Sequence, residues 1–277
     1  MKYEMNGRKF LKGLGISGLS DLEKLKAIEK FIKEEIVETE SGDDNYSNTA
    51  YIWKKKIANE SGLIKMADQL FNAAGLKYRV YLCSDKDYIR IDPDFAFSSG
   101  MQDILFYFRD LDVYMMPTNG YYYAGEIPNY LASTMALVVK DNEFPDTGVG
   151  KVKRLPDSKK EKNLDGTRAV IDIDPIEEIC TVKKTKFLFG DRATRSRGYY
   201  HFSDEDERQE YVEQWLVDNL EMELSDVEIR NESLDLNFGS ADTVYYSGVL
   251  KGSEIMTSIP NGFILNPGGI MGTQVSF

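Results

Sequence analysis

The strongest constraint on the fold is a helix that runs almost directly into a strand. Across residues 61–74 the apolar side chains Leu63, Met66, Ala67, Leu70, Phe71 and Ala74 recur at helical spacing, and Gly75 follows as a left-handed stop. Two residues further on, Tyr78-Arg79-Val80-Tyr81-Leu82-Cys83 reads as a strand. A one-sided helix must bury its stripe, and a strand so close in sequence supplies the surface. The pattern predicts helices packed on an antiparallel sheet, an α+β domain.

Neighbouring segments extend that reading. Ser20 and Glu23 have capping-box spacing, and Leu22, Leu25, Ile28, Ile32 and Ile36 then fall on one helical face. Residues 41–48 read as a polar loop and 50–57 as a short helix or turn carrying Trp53. Residues 103–108 and 111–115 read as strands joined at Arg109-Asp110, and Leu137-Val138-Val139 closes the sheet. The stretch 141–150 is rich in turn residues and 159–162 is densely charged. The expected organisation is therefore a first domain at 1–142, a linker at 143–165 and a β-rich second domain at 166–277. In that second domain 169–173, 178–189, 227–229, 234–238 and 244–250 read as strands. One helix opens at Ser203-Asp204-Glu205-Asp206, with Tyr211, Val212, Trp215 and Leu216 as its core face. Residues 261–272 are glycine-rich, with Pro267.

Residues 66–75, followed by Lys77-Tyr78-Arg79-Val80-Tyr81-Leu82, resemble the nucleophile helix of transglutaminase-like cysteine enzymes, a branch of the papain-like superfamily. Residues 20–32 look like the helix before it. Ile91-Asp92-Pro93-Asp94-Phe95 and Gln102-Asp103-Ile104-Leu105-Phe106-Tyr107-Phe108 resemble the approach to the family's histidine strand. Residues 111–118 resemble its Trp-Leu-Asp-Pro-Thr segment, and Ile127-Pro128-Asn129-Tyr130-Leu131 matches as well. The likeness covers about the first half of the chain. It is closest to Bacteroidetes-type proteins that carry β-rich domains on both sides.

The departures from the family lie at its chemistry. Counting back from Gly75 puts Glu60 where the cysteine stands, Asp103 where the histidine stands and Met116 where the orienting aspartate stands. The resemblance thus implies a kept fold and a lost Cys-His-Asp triad: no enzyme activity, no catalytic residue, no cofactor and no metal. It implies a binding or scaffolding module in the cell envelope or periplasm, or in a carbohydrate-related system, with a protein or glycan as partner. It further implies that an N-terminal β-domain precedes this stretch in a longer, exported chain, since the charged residues 1–10 do not read as a signal peptide.

The residues themselves support that reading. A carboxylate cannot replace a thiolate in acyl transfer, but it is stabilised at a helix N-terminus by the same field that activates a cysteine. Ser61 has no histidine in the first domain to activate it, because the chain's single histidine is His201. Cys83, at the end of a strand, reads as a packed thiol, and His201 as a packed or capping residue. Gln102, Tyr121, Tyr122 and Tyr123 are candidate cleft-binding residues; the tyrosines suit stacking on a sugar or peptide and equally suit a core. The alternative function is a hydrolase of another class in which Glu60 and Asp103 form a carboxylate pair that shares a proton or holds a cation. A third reading is a piece of a larger assembly with a broad contact surface. Asp85, Asp87, Asp92 and Asp94 lack the glycine and terminal glutamate of a calcium loop and read as a solvated loop.

Composition narrows the partners. A net charge of −12 argues against nucleic acid, whose phosphates need a basic surface. Two cysteines in different domains give no disulfide framework, and one histidine gives no histidine-based zinc site. No run approaches the ~20 apolar residues of a membrane-spanning helix.

Overall fold

The computed structural model describes residues 2–88, 101–142, 150–157, 163–218, 220–238 and 243–271. The class is α+β, as the sequence predicts. The chain divides into two units, residues 1–158 and 159–277, with 237–239 belonging to the first.

The first unit contains α1 (Lys2–Leu14), α2 (Asp21–Glu35), β1 (Val37–Glu38), α3 (Thr49–Lys55), β2 (Ile57–Ala58) and α4 (Glu60–Ala74). The strands β3 (Tyr78–Cys83), β4 (Asp103–Phe108), β5 (Val113–Met115), β6 (Met135–Asp141) and β7 (Val152–Arg154) follow. Local chemistry sets the helix ends. The Ser20–Glu23 capping box starts α2. Asn59 caps α4 by accepting from the Gly62 N–H at 2.9 Å, and Gly75, at φ 76°, ends it. The strands form one antiparallel sheet in the order β5-β4-β3-β6-β7. Residues 152–154, expected in the linker, are thus a strand of this sheet, and Leu155 is buried against it. Residues 143–149 and 158–162 of the expected linker lie outside the described residues.

Both faces of this sheet are covered, so its strands carry apolar side chains at nearly every position. Tyr78, Val80, Phe106, Phe108 and Met115 face the helices and pack with Leu63, Met66, Leu70 and Phe71 of α4. Tyr81, Cys83, Leu105, Ala136 and Val138 face the other way, under Met116, Leu131 and Leu155.

In α2, Leu25, Ile28 and Ile32 are buried as predicted, whereas Leu22 is exposed. Glu29 and Lys33, one turn apart, are buried instead, 2.7 Å from each other. Lys33 also donates to the Tyr122 carbonyl, and Glu29 accepts from the Ala124 N–H at 2.9 Å. The pair therefore ties the segment after β5 to α2.

The second unit contains β8 (Leu164–Asp174), β9 (Ile179–Phe189), α5 (Asp191–Phe202), α6 (Glu205–Leu216), β10 (Glu223–Arg230), β11 (Val244–Gly252), β12 (Met256–Ile259), β13 (Gly262–Leu265) and α7 (Gly268–Met271). Its main sheet is antiparallel in the order β10-β11-β9-β8, and β12 pairs with β13. The helix expected from residue 203 is α6, opened by a capping box between Asp204 and Glu207. A further helix, α5, precedes it. Its buried face is Ala193, Thr194, Ser196, Arg197 and Gly198, small and polar residues that give no apolar stripe to read. Residues 234–237 form a 3₁₀ turn rather than the expected strand. Among the described residues no helix is long and apolar enough to cross a membrane.

Breaking the buried pair leaves a charge without its partner. Lys33→Met is expected to cost about 3–5 kcal/mol in urea unfolding. Combining it with Glu29→Gln, which keeps an acceptor for the Ala124 amide, should recover most of that loss.

Candidate functional site

The start of α4 is built by close approach of a loop. β1 pairs in parallel with β2, setting Glu38 opposite Ala58 and hence beside the helix start. Asn59 donates from its backbone N–H to the Tyr46 carbonyl at 3.0 Å and from its side chain to the Ser41 carbonyl at 3.2 Å. Gly62 makes this possible: a Cβ there would stand 2.0 Å from the Tyr46 oxygen. The result is an open groove of about 770 Å³ at the helix N-terminus. Its lining includes Glu38, Glu40, Ser41, Asn59, Glu60 and Ser61 and no lysine or arginine. Glu60 is the first residue of α4 and is exposed. Partial burial, and then the charge of Glu60, push the Glu38 carboxyl above the usual range.

Asp103 opens β4 directly opposite Cys83. Its place in the alternation puts it on the sheet face of Tyr81, Cys83 and Leu105, away from α4. The Tyr130 hydroxyl lies 3.5 Å from Asp103 Oδ1 and 3.6 Å from Met116 Sδ, and it also pairs with Asn119. A tyrosine thus bridges the two positions that the resemblance gives to histidine and aspartate. Burial, reinforced by Asp85 and Glu60, pushes the Asp103 carboxyl up, while Tyr130 opposes this.

Glu60 and Asp103 therefore feel each other's charge, but no hydrogen bond joins them among the described residues. Strand alternation places Asp103 on the sheet face of Cys83 and Leu105, where its carboxyl still feels the Glu60 charge. Met116 is buried, at 4% exposure, as a thioether among Tyr81, Cys83, Leu105 and Leu131. It does not pack on Met66, which sits in the helix-side core.

The tyrosine run is largely packed inside the unit. Tyr122 and Tyr123 are buried; the Tyr123 hydroxyl donates to Glu34 at 2.9 Å, and its ring packs on Phe238. Tyr121 is half-buried, and its carbonyl accepts from Asn237 at 2.8 Å. Gln102 is exposed beside Asp103. Cys83 is fully buried, and burial followed by the Asp103 charge pushes its thiol up, the opposite of an activated thiolate. His201 lies in α5 of the second unit, edge-on to Phe202. Asp85 accepts from the Asp87 N–H at 2.8 Å; Asp92 and Asp94, with the whole of 91–95, lie outside the described residues. Among the described residues no group of three or more His, Cys, Asp or Glu side chains could hold a metal ion.

Sequence reasoning did not single out Glu38, Glu40 or the bridging role of Tyr130. Glu38 belongs to a two-residue strand, too short for any period to register. No family model, curated protein or solved structure significantly matches the chain.

Two stability measurements test this geometry. An acid with a raised folded pKa binds its proton more readily folded than unfolded, so its contribution to stability falls as pH rises through that pKa. Asp103→Asn should therefore raise the melting temperature at pH 7, and the gain should shrink as pH falls towards the ordinary aspartate value of about 3.9. Met116→Asp, which buries a carboxylate among apolar side chains, should lower stability at pH 7 by about 2–4 kcal/mol.

Proposed function

We propose that the first unit is a non-catalytic transglutaminase-like module that binds a polar or basic protein segment in the groove at the start of α4. The observation that carries this reading is the position of Glu60. It stands where the resemblance expects the nucleophile, and it opens into a groove rimmed by Glu38 and Glu40. The helix field that would hold a thiolate there favours a carboxylate equally well. An acidic rim without a lysine or arginine attracts a positively charged occupant. The burial of Tyr122 and Tyr123 removes the stacking platform that a glycan would use, which favours protein over sugar as partner. The envelope or periplasmic setting enters this proposal with the resemblance.

A second reading, a hydrolase using Glu60 and Asp103, draws on a carboxylate at each of these two positions and on the upward push on the Asp103 carboxyl. Under that reading Glu60→Gln abolishes a hydrolytic activity with a distinct pH profile.

The experiment that separates the two is a titration of the protein with a lysine-rich peptide, followed by calorimetry. Binding should weaken several-fold in Glu60→Gln and again in Glu38→Gln, with strong dependence on salt. A thiol reagent should leave Cys83 unlabelled in the native protein and label it after unfolding. Acyl transfer or peptide hydrolysis lost on Cys83→Ala would overturn the non-catalytic reading.

A further inference from the structure

The inward row of β9 reads Cys180, Val182, Lys184, Lys186, Leu188, two lysines among apolar side chains. Cys180, Val182 and Leu188 are buried in the cores of the second unit, and Lys184 is buried with them, at 2% exposure. Lysine in such a row breaks the apolar pattern, and departures of this kind concentrate at functional sites. Lys186 forms an ion pair with Asp165 and lies over the Trp215 ring, 4.8 Å from its centre. Lys184 has no such partner. Among the described residues no hydrogen bond or ion pair reaches it, and Asp218 acts on it only through its charge.

Both lysines line a cavity of about 270 Å³ that is bordered by Gln214 and Trp215 of α6, by Asp218 just beyond it and by Met271 of α7. Thr167 of β8 contributes a hydroxyl to its wall, and Arg192 of α5 stands exposed at its edge. The Trp215 indole N–H is buried, and among the described residues no hydrogen-bond acceptor reaches it. Ammonium and indole are both donors only. Two buried donor side chains therefore line one small cavity without an acceptor among the described residues, and buried donors are normally paired. Lysine and arginine outnumber the carboxylates of the lining by three to two, and one carboxylate is already paired with Lys186. The volume is slightly below the roughly 300–1,000 Å³ of pockets for drug-sized ligands, so the occupant is a small molecule.

We infer that this cavity is a binding site for a small oxyanion, a carboxylate or a phosphate, whose oxygens accept hydrogen bonds from Lys184 Nζ and the Trp215 indole N–H. The pairing charge enters with the ligand, which explains how an ammonium stands in an apolar row. Lys186 and Asp165 form the settled side of the pocket, and Arg192 draws the anion to its mouth.

The test is a titration of the ¹⁵N-labelled full chain, at constant ionic strength set with potassium chloride, with inorganic phosphate in one arm and succinate in the other. The indole N–H signal of Trp215 should move downfield and saturate, while that of Trp53 stays in place. Saturation in one arm alone identifies the oxyanion, and saturation in both shows that the oxygens alone are read. Lys184→Gln should weaken the fitted affinity about ten-fold or more, the value of one charge-assisted hydrogen bond. If Lys184→Gln fails to fold, Arg192→Gln at the exposed edge should still weaken binding, less steeply. Lys184→Met should melt at a higher temperature than the parent without ligand and lose most of the ligand-induced rise in melting temperature. A Trp215 signal that does not saturate in either arm, or affinities unchanged in the variants, would overturn the assignment.

Discussion

The first unit depends on a buried charge pair in a helix that otherwise reads as ordinary. Glu29 and Lys33 lie within α2 and bind the backbone of residues 122 and 124 as well as each other. Removing two ions from water is costly, and only close geometry with further hydrogen bonds offsets it. Here each ion has such a second partner. The cost of desolvation is thereby turned into a positional constraint: the irregular segment after β5 has one favourable seat. That segment leads to Asn119 and Tyr130, so the surroundings of Asp103 and Met116 rest on a contact made elsewhere in the fold.

The sheet supplies the second constraint. Because both faces are buried, strand alternation decides to which core each side chain belongs. A shift of one residue separates Met115, in the helix-side core, from Met116, in the core opposite. The same rule places Asp103 with Cys83 rather than with Glu60. The acidic groove at the start of α4 and the Asp103–Tyr130–Met116 cluster are therefore two environments, linked only by the reach of the Glu60 charge.

In the second unit charge and pattern also conflict, with a different outcome. Arg197 is buried in α5 but donates to the Asn231 carbonyl at 2.8 Å, so its cost is met inside the protein. Among the described residues Lys184 has no comparable partner. The contrast between the two cations, rather than either burial alone, marks the β9 cavity as a place where a partner from outside belongs.

Some of this was written locally. The capping box at Ser20, the stripe from Leu63 to Ala74, the stop at Gly75 and the strand from Tyr78 to Cys83 follow from spacing and residue chemistry within a few positions. The α+β class follows from those pieces. What the sequence could not show depends on atoms brought together from far apart. Glu29 and Lys33 lie off the apolar spacing of α2, and their burial depends on the contacts with residues 122 and 124. Tyr122 and Tyr123 suit a cleft or a core equally well by sequence, and only the fold buries them. The helix α5 buries small and polar residues, so no apolar period announces it. Sequence alone determined the elements whose stability is local; tertiary structure decided which charges lost their water, because desolvation depends on the full set of neighbours and not on spacing along the chain.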